Sequence, residues 1–185
     1  TCIEDVFVKT RRCSAMTYEL SAEITCLQLK GDEIRVTLLD SAGAHVCTLG
    51  QSWQKVSGIT EWHPDHPVLY TLRTELIREG EVRDVLDTRF GFREAVFKAD
   101  GFYLNGKKFK LRGLNHHQSY PYVGYAMPES MQKYDAEILK KELGVNAVRT
   151  SHYPQSQHFI NACDEQGLLV FTEIPGWQHI GDDSW

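Results

Sequence analysis

The sequence predicts an antiparallel β-sandwich followed by the opening units of a parallel α/β segment, on three observations. From Ile3 to about Arg93, apolar residues alternate with polar ones, the period of half-buried strands. After Gly101 short apolar runs are separated by stretches with helical spacing. The breaks between runs carry Gly, Asp and Pro, the residues that end strands and cap helices.

The alternation is clearest in Asp5-Val6-Phe7-Val8, in Glu33-Ile34-Arg35-Val36-Thr37-Leu38 and from Val68 to Leu76. Turns are expected at Gly31-Asp32, Ser41-Ala42-Gly43 and Glu79-Gly80. Several short strands without a helical period predict a sandwich of immunoglobulin-like size over residues 1–94. The Cys-Trp-Cys core of an antibody domain is not evident, and internal repeats and low-complexity runs are absent.

In the second half, residues 95–185, Phe102 to Leu111 reads as a hairpin whose Asn105-Gly106 supplies the positive φ angles of a tight turn. A long loop follows. Pro128-Glu129-Ser130 then opens a helix with Met131, Tyr134, Ile138 and Leu139 on one face, stopped by Gly144. Val145 to Arg149 is a strand, His158 to Cys163 a second helix ended by Gly167, and Leu168 to Phe171 a strongly apolar strand. Strands alternating with helices over short connections make parallel βα units, which close into a barrel or continue as an open sheet. A complete eight-unit barrel takes about 250 residues, so the second half holds only its N-terminal portion.

Composition bounds the function. The chain has 185 residues, 42% of them hydrophobic, enough to pack cores and too apolar for a disordered chain. Its net charge of −5, with 20 basic and 25 acidic residues spread along it, offers no basic stripe for nucleic acid. No run of about 18 apolar residues exists to span a bilayer, and the opening TCIEDVFVKTRR lacks the apolar core of a signal peptide. The five cysteines, Cys2, Cys13, Cys26, Cys47 and Cys163, show no CxxC spacing and read as unpaired thiols. A reducing, cytoplasmic location fits best, and an upstream signal peptide would make it periplasmic or secreted.

Three clusters fall at or just past strand ends, where βα units place their sites: Arg112 to His117, Arg149 to Pro154 and Glu173 to His179. His, Arg, Asn and Trp there suit a sugar, whose hydroxyls need donors and acceptors and whose apolar face needs an aromatic platform. Zinc is not expected, because His116, His117, His152, His158 and His179 lack the usual ligand spacing. A Ser151-His152 relay is not expected either, since adjacent residues on an extended strand end point apart. Glu173 is read as a structural or supporting carboxylate. Retaining glycoside hydrolysis needs two carboxyls about 5 Å apart, and Asp164, Glu165, Asp182 and Asp183 make no convincing partner for it.

RGLNHH at Arg112–His117, NAVRTSHYP at Asn146–Pro154 and LLVFTEIPGW at Leu168–Trp177 resemble successive motifs of glycoside hydrolase family 2. WHPDHPVLYTL at Trp62–Leu72 and GFRE at Gly91–Glu94 resemble the immunoglobulin-like domain of that family and its exit into a (β/α)8 barrel, so the likeness covers nearly the whole chain. The family contains β-galactosidases, β-glucuronidases and β-mannosidases. The resemblance implies that a jelly-roll sugar-binding domain precedes this chain and that both catalytic glutamates, after barrel strands four and seven, lie beyond Trp185. By the same resemblance His117 and His152 contact sugar hydroxyls, Arg149 lies beside the nucleophile, and Asn115 and Arg112 shape the pocket floor. Trp177 is the candidate sugar platform. Some family β-galactosidases hold magnesium with a glutamate and a histidine where this sequence reads Gln178-His179. An amide is a weaker ligand for a hard cation, so no metal and no cofactor is expected.

The expected function is therefore that of a piece of a retaining β-glycosidase acting on terminal β-D-galactosides, inactive alone. β-Glucuronidase and β-mannosidase parents are the alternatives, as is a non-enzymatic carbohydrate-binding or interaction module using Trp53, Trp62 or Trp177. The expected partner is a carbohydrate, with no nucleic acid or membrane. Open parallel edges predict poor order in the second half, association with another copy as a homo-oligomer, or cover by further chain.

Overall fold

The computed structural model describes residues 2–27, 31–50, 52–175 and 181. The chain forms two compact units, one of residues 1–63 with 68–109 and one of residues 64–67 with 110–185.

In the first unit, strands β1 (Cys2–Ser14), β2 (Thr17–Leu27) and β5 (Gln54–Ser57) form one antiparallel sheet in the order β1-β2-β5. The other sheet runs β4-β3-β6-β7, from β3 (Glu33–Leu39), β4 (His45–Leu49), β6 (Tyr70–Arg78) and β7 (Glu81–Phe90). These are the sandwich that the alternation predicts. One residue in two points inward, so Tyr18 and Leu20 of β2, Val36 and Leu38 of β3, and Tyr70 and Leu72 of β6 meet in a single core with Phe92. The turns fall where expected. Glu79 and Gly80 take φ of 54° and 80°, and the Asp40 carboxylate accepts from the Ala42 and Ala44 N–H groups at 2.9 and 2.8 Å.

The two first-unit family motifs pack on each other. Trp62 is fully buried, its N–H donates to the Phe92 carbonyl at 2.8 Å, and its ring lies 4.8 Å beneath the Arg93 guanidinium. Gly91 is required there: a Cβ on it would stand 2.6 Å from the Trp62 Cβ.

Strands β8 (Ala95–Lys98), β9 (Gly101–Leu104) and β10 (Lys107–Lys108) form a small antiparallel sheet. Its Asn105-Gly106 turn has φ of 51° and 76°, as the hairpin reading requires. Asn105 also accepts from the Glu94 N–H at 2.9 Å and donates to the Trp62 carbonyl at 3.0 Å, so residues 95–109 pack with the first unit.

The second unit begins with a strand where a loop was expected. β11 (Gly113–His116), β12 (Ala147–Thr150) and β13 (Leu169–Phe171) are parallel in the order β11-β12-β13. The RGLNHH segment is therefore itself mostly strand, with His116 at its C-terminal end and His117 just past it. Gly113 permits it, because a Cβ there would lie 2.8 Å from the Ala147 carbonyl oxygen across the ladder. Among the described residues β11 and β13 each pair on one side only.

Helix α1 (Glu129–Glu137) runs into a π-helical turn over Ile138–Glu142, and α2 spans Gln157–Gln166. Gly144 and Gly167, with φ of 64° and 77°, follow them in the left-handed conformation, and the Ser156 hydroxyl accepts from the His158 N–H at 3.3 Å to cap α2. The buried face of α1 differs from expectation. Gln132, Ala136 and then Leu139 point inward, and Tyr134 is half exposed. Behind the sheet Ala136, Leu139, Val148, Phe159, Ala162, Cys163 and Leu168 form the core. The Lys140 ammonium donates to the Pro64 and Gly167 carbonyls at 2.7 and 3.0 Å, tying residues 64–67 to the ends of both helical segments. Burial lowers its pKa below the ordinary lysine range.

Candidate sugar-binding rim

Because β11, β12 and β13 are parallel, their C-terminal ends share one rim, and the loops leaving them carry the candidate residues. Asn115, Arg149 and Phe171 are direct cross-strand neighbours in one row. Side chains alternate along strands, so this row lies on the face opposite Val148, which packs on the helices. Here a cavity of about 250 Å³ is lined by Gly113, Asn115, Ala147, Arg149 and Phe171 among others.

Arg149 organises the row. Its Nη1 donates to Asn115 Oδ1 at 3.4 Å, and its Nε pairs with Glu173 Oε1. The other carboxylate oxygen, Oε2, lies 3.1 Å from His152 Nδ1. Glu173 is thus bonded through both oxygens, one to a guanidinium and one to an imidazole. Thr150 holds the carboxylate's backbone: its hydroxyl accepts from the Glu173 N–H at 3.2 Å and donates to the Phe171 carbonyl at 3.3 Å.

His117, just past β11, is exposed and stands edge-on to the His152 ring with centroids 5.5 Å apart. Tyr153 follows at 6.1 Å from His117, and Tyr125 at 6.2 Å from Tyr153. The Tyr153 hydroxyl accepts from the Gln118 N–H at 3.1 Å. Burial, then its hydrogen bond with Tyr125, raises the Tyr153 phenol above its ordinary range. From Glu173 outward the rim is a succession of rings with polar edges.

His116, one residue from His117, is buried on the opposite side. Its ring stacks on Phe159 at 4.5 Å, its Nε2 lies 2.5 Å from Asp135 Oδ2, and its Nδ1 lies 2.8 Å from Gln155 Oε1. Ser151 is also buried, with no hydrogen-bond partner for its hydroxyl among the described residues, so Ser151 and His152 form no relay.

Asn115, His117, Arg149 and His152 therefore come together as neighbours. Arg112 does not. It precedes β11, at the end of the sheet away from the rim, where its N–H donates to Asn146 Oδ1 at 2.7 Å and its carbonyl accepts from the Asn146 and Ala147 N–H groups. Its backbone lies at the start of the strand, away from the residues at the strand ends. Trp177, Gln178 and His179 lie outside the described residues. Among the described residues no three or more His, Cys, Asp or Glu side chains group as metal ligands.

Sequence reading missed Tyr125 and Asp135, which no periodicity marks. Tyr153 and Gln155 adjoin His152 and Pro154, and that proximity was the available signal. In the first unit, Trp62 is buried and the Trp53 ring carries the Arg11 guanidinium 4.7 Å from its centroid. Neither is a bare platform.

The rim can bind and orient a hydroxyl-rich ligand through imidazole edges, the Asn115 amide and aromatic faces. Among the described residues it presents one carboxylate, where retaining hydrolysis uses two.

Comparison with known proteins agrees with this geometry. The model for Glycosyl hydrolases family 2 matches residues 1–93, and that for the Glycosyl hydrolases family 2, TIM barrel domain matches residues 96–182. The β-galactosidase of Thermoanaerobacterium thermosulfurigenes is 62% identical over 132 residues, covering 71% of this chain and 18% of that protein. The β-glucuronidase of Streptococcus agalactiae is 32% identical over 146 residues, covering 79% of the chain and 24% of that protein. Among solved structures, a β-glucuronidase from Parabacteroides merdae superposes with a TM-score of 0.86 at 29% identity, over 98% of this chain and 24% of that one. The chain thus spans about a fifth of the length of the curated β-galactosidases it matches, 18% for each of the first two.

Proposed function

The chain belongs to glycosyl hydrolase family 2, and from that premise we propose that its parent protein hydrolyses terminal β-D-galactosides with retention, through a covalent glycosyl-enzyme. This chain supplies part of the wall that grips the sugar. The observation that carries the reading is the joined set Asn115–Arg149–Glu173–His152 with His117 beside it, at the C-terminal rim of parallel strands.

In this reading His117 and His152 bond sugar hydroxyls. Glu173 holds His152 and Arg149 in place, and Arg149 keeps its Nη1 donor on Asn115, fixing the row beside the sugar. The two glutamates that break and remake the glycosidic bond come from other parts of the parent, so the chain alone is inactive. Arg112 takes no part. The sandwich serves as a scaffold and not as a carbohydrate-binding module, a reading supported by the buried Trp62 and by the Arg11 guanidinium over the Trp53 ring. Free thiols at all five cysteines support a reducing compartment. The exposed sheet edges are covered by the rest of the parent chain.

The 62% identity to a β-galactosidase favours a galactoside, while the structural likeness to β-glucuronidases favours a glucuronide. A glucuronide carboxylate needs a cation, and the rim's arginine is already paired with Glu173. That supports the neutral sugar. Initial rates of the parent protein on aryl β-galactoside, β-glucuronide and β-mannoside, with the first-formed anomer read by NMR, test the proposal. The galactoside is expected to be fastest and the first product the β-anomer. Preference for the glucuronide, or a first product of inverted configuration, would overturn it.

A further inference from the structure

We propose that His116 is the positioning residue of the rim and that its pairing with Asp135 holds His117 and the exit of β12 in register; the proposal rests on the sugar-binding reading of that rim. The two histidines are adjacent, yet they lie on opposite sides of the sheet. His117 joins His152 and Tyr153, whereas the His116 ring lies parallel to Phe159 of α2, with planes 6° apart.

The bonding of His116 exceeds what packing requires. Its Nε2 meets Asp135 of α1 and its Nδ1 meets Gln155 Oε1. The Gln155 amide has one orientation, because its Nε2 donates at 2.7 Å to the carbonyl oxygen of His116, which can only accept. Both ring nitrogens therefore face acceptors. The His116 carbonyl also accepts from the Ser151 N–H at 3.0 Å, immediately before His152. One buried residue thus links the end of β11, which leads to His117, to the turn carrying His152, and anchors both to α1 and α2. A phenylalanine could fill the stack on Phe159 but could make none of the ring's hydrogen bonds.

The consequence is on geometry at the rim. Asp135→Asn keeps the shape of the side chain and removes the charge that orients the ring. Misplacement by about 1 Å of groups that grip a transition state can cost roughly a hundredfold in rate. In the full-length protein Asp135→Asn is expected to lower kcat on an aryl β-galactoside by about tenfold or more with a smaller change in KM, and Asp135→Glu to restore part of it.

The test measures histidine ring resonances by NMR in the 185-residue chain, together with its melting. In folded Asp135→Asn the His117 and His152 resonances are expected to move and the His152–Glu173 hydrogen bond to weaken. Should that variant not fold, His116→Phe, which keeps the stack, reads the same resonances. Unchanged His117 and His152 resonances in a folded variant, or a lowered melting temperature with kcat intact, would overturn the proposal and leave the pair a packing feature. A wild-type parent inert toward every β-glycoside defeats the sugar reading instead, and the resonance comparison still decides the positioning.

Discussion

Arg149 shows how one side chain defines a rim. Its planar fork reaches Asn115 on one side and Glu173 on the other, which a lysine cannot do from a single nitrogen. Arg149→Lys in the parent is therefore expected to lower kcat/KM by roughly tenfold to a hundredfold, the effect of losing a charge-assisted hydrogen bond, with melting almost unchanged. Steady-state kinetics beside a thermal melt checks this. Gly167 gives a stability prediction. It sits at φ 77°, and an added Cβ would lie 2.2 Å from the Pro64 carbonyl oxygen, so Gly167→Ala should cost more than about 1 kcal/mol, measured by urea unfolding. At this scale the motifs singled out Arg149, His117 and His152, which the structure brings together as neighbours. They did not reveal that His116 turns away, since two adjacent histidines look alike until the strand assigns each a face.

The pattern of apolar residues located both helices but rotated one of them. Gly144 and Gly167 marked both ends correctly, because a left-handed residue after a helix has a sequence signature. The buried face of α1 was misread because Gln132 turns inward and Asp135 is drawn to His116, whereas a hydrophobicity pattern sends polar residues outward. β11 was missed because it is only Gly-Leu-Asn-His, with its inward residue polar and its glycine needed for close approach to Ala147. Lys140 joins elements that the sequence gives no reason to join. Lys140→Met should leave the Pro64 and Gly167 carbonyls without their donor and cost about 1–3 kcal/mol, seen as a lower unfolding midpoint. Ser156→Ala should cost about 1 kcal/mol by removing the cap of α2, with no effect on the rim residues' resonances.

For the whole molecule, fold class was the most legible property. A period of two giving way to βα alternation is written along the entire chain, and the sandwich and parallel strands follow it. Family membership was legible only through motifs. Composition carries no mark of these motifs, and the ring contacts from His152 out to Tyr125 exist only once β11 and β12 lie side by side. The central claim is that this chain grips the sugar and that the bond-breaking carboxylates belong to the rest of the parent. It is tested most directly by assaying the 185-residue chain and the full-length protein on the same chromogenic β-galactoside. The expected result is turnover by the full-length protein and none by the chain; turnover by the chain alone, or none by the full-length protein, would contradict it.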